Sequence, residues 1–395
     1  MKAVIYHSYN NIRLENRPVP SILDTELLVR VHGCGLCGSD IIKITHQAPP
    51  PVVLGHELTG TIVERGKAVS NVEVGQRVIV AHHVPCGECH YCRHQNYSMC
   101  AAFKASNIDP CGFAEYIRVP AQHVQHTTLP LPDSLSAEEG SFVEPLACCV
   151  RAVRRTPLLS GDCVVVMGLG SIGLLMIQVL KALDAGGFER RIKQGSKGTQ
   201  PLGGVWGVPT FPSFPGMGRG KEELTTSSAL GAGNAGNLHV YGVDLLPERL
   251  QLARSLGADD AFLAPADDQG LREELDPHTA GRGADAVIIT APGVRPFMQA
   301  LAGLRKGGTI NIFAAHTGTV PINLETIYQQ ELSITSTYSS SPAELHIALD
   351  LLSRRKVRVD GLISHRLPLS QFSEGVMLMR ERAALKVYFQ ISGEQ

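Results

Sequence analysis

Cys86, Cys89, Cys92 and Cys100 form a C-x2-C-x2-C-x7-C run inside fifteen residues. Four thiolates this close in sequence can enclose one tetrahedral zinc ion without a ligand from a distant element. The residues between them suit a loop: Gly87, Glu88, His90, Arg93, His94, Gln95 and Asn96, with Pro85 just ahead. Such a set leaves no coordination position open, so it reads as a closed, structural site. An iron–sulfur cluster also takes four cysteines, and four ordinary buried cysteines are the plainest alternative. The density of the run and the rest of the chain favour zinc.

A second group is spread over separate loops. Cys37 lies in G-L-C-G-S-D (35–40), His56 and Glu57 in G-H-E (55–57), and Glu144 in V-E-P-L (143–146). Each alone ordinarily means core packing or surface. Together, three or four mixed sulfur, nitrogen and oxygen ligands suit a catalytic zinc with a position left for water or substrate. Asp40 is placed to accept the other ring proton of His56 and fix its tautomer. Cys34, Cys111, Cys148, Cys149 and Cys163 have small, mostly apolar surroundings and read as core. His82 and His83, just ahead of the cysteine run, are spare ligands at most.

Gly168-Leu169-Gly170-Ser171-Ile172-Gly173 is a G-x-G-x-x-G run that follows a strand-like stretch and opens a helix-like one. In that context the glycines let the backbone approach a pyrophosphate, and the helix N-terminus supplies N–H donors. The acidic partner belongs about 20 residues on, at the end of the next strand. Asp244 is 76 residues after Gly168, and removing a 52-residue segment (186–237) leaves 24. An aspartate there accepts from a ribose 2′-OH and repels a 2′-phosphate, which favours NAD over NADP. Arg249 is assigned to the same cofactor site.

These groups need a scaffold, and the chain is long enough for two domains. It has 395 residues, 44% hydrophobic and 18% charged, with a net charge of −1. No basic block argues for a nucleic-acid or membrane partner. The N-terminus starts like a strand and lacks the apolar core of a signal peptide. Ten cysteines without a secretion signal point to metal binding in a reducing compartment, with the cytoplasm as default.

Residues 1–150 read as short strands with glycine and proline turns, including Leu27–His32, Gly60–Glu64 and Arg77–Val80. From Gly161 the pattern changes to alternating strands and helices: strands at 163–167, 240–244, 286–290 and 309–313, helices at 171–183 and 247–256. That alternation means a parallel α/β sheet. The last 50 or so residues hold a helix (342–353) and two strand-like runs, expected to pack back on the first domain. Residues 186–237 fit neither pattern, with 13 glycines, four prolines and Trp206. They read as an insertion that emerges at the N-terminal edge of the sheet, away from the cofactor.

Taken in order, Cys37, Gly55-His56-Glu57, the four-cysteine run and the glycine fingerprint resemble the zinc-dependent medium-chain dehydrogenases. The resemblance covers nearly the whole chain apart from 186–237. It implies an α/β protein: a GroES-like catalytic domain (1–150 with a C-terminal segment, 341–395) joined to a Rossmann NAD-binding domain (151–340). It also implies two zinc ions per subunit, NAD, a homodimer or homotetramer, and an alcohol or polyol substrate. Glu144 in V-E-P-L resembles the sorbitol and threonine dehydrogenase branch. There Cys37, His56 and Glu57 match zinc positions, and Glu144 matches a glutamate that reaches the metal or its water.

The chain departs from that branch in one respect. A histidine is usual five residues after the first cysteine, serving a proton relay, and here that position is Ile42. The relay then falls to Ser39, to water held by Glu57 or Glu144, or to another residue such as His46. The proline-rich loop 49–51 also reshapes the pocket. The expected reaction is hydride transfer from a secondary alcohol to NAD. A threonine 3-dehydrogenase-type reaction, a silent zinc- and NAD-binding scaffold, and a zinc-independent quinone reductase are the other readings.

Overall fold

The computed structural model describes residues 1–45, 51–183, 238–315 and 318–392. The 186–237 segment and His46 lie outside the described residues.

The chain opens with an antiparallel ribbon of β1 (Lys2–Ser8) and β2 (Asn11–Asn16). Then come β3 (Leu27–Gly35), helix α1 (Gly38–Thr45), β4 (Glu57–Arg65), β5 (Arg77–Val80), β6 (Tyr116–Val119) and β7 (Thr128–Pro130). The strands expected from the sequence fall within these. β3 is buried along almost its whole length, as its run of Leu, Val and small residues requires of a central strand.

Two features of this half were not expected. The cysteine run carries short helices, α2 (His90–Arg93) and α3 (Ala101–Ala105), after which comes α4 (Ala121–His126). A helical pair also follows β7: α5 (Ala137–Ser141) and α6 (Val143–Arg155). Ser136 and Glu139 form a capping box that starts α5. In α6, Pro145 sits in the first turn, where its missing N–H costs nothing. Ten residues of α6 are buried: 143–147, 149 and 150–153. Glu144, Cys148, Arg151 and Arg155 recur at helical spacing opposite the apolar positions, a signal that the sequence reading missed. α6 crosses residue 150.

The second sheet is parallel: β8 (Cys163–Met167), β9 (His239–Asp244), β10 (Asp260–Leu263), β11 (Ala284–Ile289), β12 (Leu304–Ile312) and β13 (Ser333–Ser336). Its order is β10-β9-β8-β11-β12-β13, the doubly wound arrangement with a switch point between β8 and β11. Helix α7 (Ser171–Ala182) leaves β8 through the glycine turn. Finally β14 (His365–Pro368) and β15 (Val387–Gln390) join the first sheet, in the order β14-β15-β3-β4-β5-β7, with β6 also on β3. Helix Pro342–Ser353 packs against α6 instead. One apolar cluster runs from Leu146 and Val150 on α6 through Val164 to Leu345 and Leu352, and it also takes in Ile79 of β5, so α6 joins the two sheets.

Candidate metal and dinucleotide centres

The pairing of β3 with β4 brings the scattered ligands together. Gly35 at the end of β3 stands opposite Glu57 at the start of β4. Cys37 therefore follows one strand and His56 precedes the other, on the same sheet edge. Gly55, with φ +96°, makes the turn into His56, and a Cβ there would lie 2.9 Å from the Phe113 backbone nitrogen. Donor atoms of Cys37, His56 and Glu57 all lie within 4.8 Å of one another.

Asp40, wholly buried on α1, ties this corner. Its Oδ1 lies 3.4 Å from His56 Nδ1 and accepts the Gly55 N–H, while Oδ2 accepts the Cys37 N–H at 3.2 Å. The sequence expectation for Asp40 and the structure agree. Burial alone would push the Asp40 carboxyl up, but the His56 charge and hydrogen bond hold it low. Burial likewise would lower the His56 ring; the charges of Asp40 and Cys37 raise it well above its usual value. The same negative field favours a bound cation, so the group fits a zinc ion. Ser39 Oγ lies 3.4 Å from His56 Nε2, and Ile42, in the place of the usual histidine, is 39% exposed.

Glu144 is not in this group. It is buried near the start of α6, where its Oε1 accepts the Cys148 thiol at 3.8 Å. Burial pushes its carboxyl up, although the His56 charge reaches it. Glu57 has a partner that the sequence reading missed: Lys386, 3% exposed, forms an ion pair with the wholly buried Glu57 carboxylate. β15 pairs with β3 at Tyr388 and Gly35, which delivers Lys386 to the site from the other end of the chain. A lysine directly ahead of the apolar run Val387–Phe389 was the signal that the sequence offered.

His56 also borders a cavity of about 310 Å³. His82 and His83 line it, with the His82 ring 4.6 Å from that of His56 and 3.8 Å from that of His83. His83 donates from Nδ1 to the Ser106 carbonyl at 2.7 Å, and burial pushes its ring down to about 4. Unfolded, the ring takes its proton near 6.5. Stability from His83 is thus fully present above pH 6.5 and falls as pH drops toward 4, by roughly 3 kcal/mol at most. His82 and His123, also lowered by burial, act in the same direction. Urea titrations at pH 7.5 and 5 check this. His83→Asn should show a smaller difference between the two.

In the cysteine lobe the four sulfurs lie close, at 3.5 Å (Cys86–Cys100), 3.6 Å (Cys89–Cys92) and 3.9 Å (Cys86–Cys92), and none is in a disulfide. A zinc–sulfur bond of about 2.3 Å gives a tetrahedron edge of about 3.8 Å, so the set fits one zinc ion. Burial opposes ionisation of Cys100, but backbone donors, led by the Cys86 N–H, bring its thiol down to about 6. The lobe leans on α6: Arg151 donates to the Gln95 carbonyl at 2.9 Å and lies 5.5 Å over the Tyr97 ring. Cys89→Ser should lower the melting temperature by several degrees and release one zinc per chain, as seen by calorimetry and metal analysis.

The glycine turn sits at the carboxyl end of β8. Gly168 has φ +100°, and a Cβ there would lie 2.8 Å from the Ala291 nitrogen. Gly170 caps α7 with no side-chain bond to the first turn, and a Cβ on it would meet nothing within 4 Å. Open space before bare N–H groups, with Ser171, Ile172 and Gly173 opening the helix, fits a pyrophosphate. Asp244 ends β9 next to this turn: Oδ2 accepts the Leu169 N–H and Oδ1 the Leu246 N–H at 3.1 Å. Arg249 lies 3.6 Å from Asp244.

Two family models match the chain, "Alcohol dehydrogenase GroES-like domain" over residues 23–133 and "Zinc-binding dehydrogenase" over 227–354. A sorbitol dehydrogenase from Halalkalibacterium halodurans is 28% identical, over 98% of both chains. A D-arabitol-phosphate dehydrogenase from Enterococcus avium is 29% identical, over 98% of this chain and 96% of its own. Among solved structures, a zinc-binding dehydrogenase from Sinorhizobium meliloti, bound to NADP, superposes with a TM-score of 0.76 at 26% identity, over 98% of both chains.

Proposed function

Because this chain belongs to the zinc-dependent medium-chain dehydrogenases, in the sorbitol-like branch, we propose that Cys37, His56 and Glu57 form the centre at which it oxidises a polyol-type secondary alcohol with NAD. One observation carries the assignment: the three donor atoms meet within 4.8 Å, and His56 borders a cavity of about 310 Å³. Cys37, His56 and Glu57 would hold a zinc ion there, and Glu144, whose carboxyl feels the charges of His56 and Glu57, is the further buried carboxylate beside them. When bound, zinc supplies a Lewis acid that lowers the pKa of the alcohol. NAD, its pyrophosphate on Gly168–Gly173 and its ribose on Asp244 and Arg249, supplies the hydride acceptor.

The chain's own residues do the rest. Asp40 holds Nδ1 of His56, which leaves Nε2 beside Ser39. Ser39 Oγ, exposed next to that nitrogen, hydrogen-bonds the reacting hydroxyl and hands its proton to solvent. Cys86, Cys89, Cys92 and Cys100 hold the second zinc, away from substrate. The catalytic unit is the first sheet with the returning 341–395 segment, and the dinucleotide unit is the parallel sheet.

All ten cysteines are free, which supports a reducing compartment such as the cytoplasm. No helix among the described residues is long and apolar enough to cross a membrane. β13 is an open sheet edge with Ile334 and the neighbouring Tyr338 exposed, which supports pairing with a second copy.

The test is metal content together with NADH formation on sorbitol, galactitol, threonine and butanediol. Two zincs per chain with turnover of a polyol are expected. Two zincs without turnover of any of the four would overturn the reading. Preference for threonine would move the chain to the amino-alcohol reaction.

A further inference from the structure

The cavity beside His56 holds one cationic side chain in an otherwise mostly apolar lining, a charge that a neutral polyol does not require. Lys43 lies on α1 four residues after Ser39, on the same helix face and about 6 Å farther along the axis. It lines the cavity and has no ion pair or hydrogen bond among the described residues. Burial is the main cause of the lowered His82 and His83 rings, and the Lys43 charge is a further one, so its field reaches both.

Three other groups complete the lining. His82 is 8% exposed; its Nδ1 is closed off from solvent, so Nε2 is the ring nitrogen left to meet a ligand. Asn107 gives one amide N–H to Cys111 at 3.1 Å and keeps the other. His83, with its Nδ1–H spent on Ser106, turns an acceptor, Nε2, to its surroundings. No aspartate or glutamate is among the described lining residues.

The geometry points to an anion-bearing polyol as substrate: Lys43, with His82 and Asn107, binds a phosphate ester or carboxylate on the chain whose secondary hydroxyl reaches Ser39 and His56. His83 Nε2 accepts from a hydroxyl in between. This rests on the polyol dehydrogenase reading above and narrows it. No covalent step beyond the hydride transfer is added.

The experiment compares matched substrates with the zinc-loaded protein: sorbitol with sorbitol 6-phosphate, arabitol with arabitol 5-phosphate, and gluconate as the carboxylate arm. Calorimetric binding of each is measured alongside NADH formation. The anionic member of a pair is expected to show at least ten-fold higher kcat/KM. Lys43→Ala should bring that ratio down toward one, and Lys43→Arg should retain most of it. Whether the ester or the gluconate gains identifies the anion. Equal kcat/KM within each pair, unmoved by Lys43→Ala, would overturn the proposal. If no compound is oxidised, the dehydrogenase reading fails. Lys43-dependent binding of the ester or gluconate would still support the anion site, and its absence would sink that as well.

Discussion

Cys37→Ser is expected to yield a folded protein with one zinc per chain that forms NADH from its polyol at a rate lower by on the order of 10³-fold, about 4 kcal/mol of barrier. The reasoning starts from the donor set. Cys37 gives the only thiolate to the cluster, and His56 and Glu57 are adjacent in sequence on one strand end. Without Cys37 the remaining donors come from a single turn, and a serine oxygen is a weak ligand for zinc at neutral pH. The cysteine lobe shares no ligand with this cluster, so its zinc stays. The dinucleotide turn lies on the other sheet, so NAD binding, followed by fluorescence, changes little. Asp40→Asn provides a graded comparison: it keeps the fold of α1 but weakens the hold on His56, and zinc affinity should fall 10–100-fold. Unchanged turnover in Cys37→Ser, or loss of both zincs, would refute the two-site account.

Much of this was legible in the sequence because it was written in local spacing. The four cysteines span fifteen residues, and the glycine fingerprint is six. The distance from Gly168 to Asp244 made sense once the glycine- and proline-rich stretch was set aside, and Asp244 does stand beside the turn, bonded to Leu169. Strands such as β8 and β11 are short and buried on both faces, so β8 and residues 286–289 of β11 read as unbroken apolar runs. What was not legible depends on where distant segments meet. That α6 packs against both the parallel sheet and helix Pro342–Ser353 shows only in the fold. His82 is one histidine among 15 until the fold sets it beside His56. Glu144 was grouped with the metal ligands on its V-E-P-L context, whereas the fold seats it one helical turn from Cys148 and outside the 4.8 Å group.

Lys386 is the strongest case of such a distant partner, and replacing it has the second large effect. In Lys386→Met the Glu57 carboxylate, wholly buried, loses its cation. Breaking a buried pair by removing one partner costs roughly 3–5 kcal/mol, because the other charge is left uncompensated. Burial alone would push the lysine ammonium down, and the charges of Glu57 and Cys37 instead raise it, so Lys386 keeps its charge at neutral pH. The loss is therefore expected in full at pH 7 in urea denaturation. Zinc at Cys37 and His56 would offset part of it by giving Glu57 another cation. The deficit should accordingly be larger in a Cys37→Ser background than in the zinc-loaded protein. Adding Glu57→Gln to Lys386→Met removes the stranded charge, and stability should return to within about 1–2 kcal/mol of the parent. A single Lys386→Met variant as stable as the parent in the Cys37→Ser background would show that the pair is not formed in solution. A double variant no more stable than the single would show that lost packing of the lysine stem, and not the stranded Glu57 charge, sets the cost.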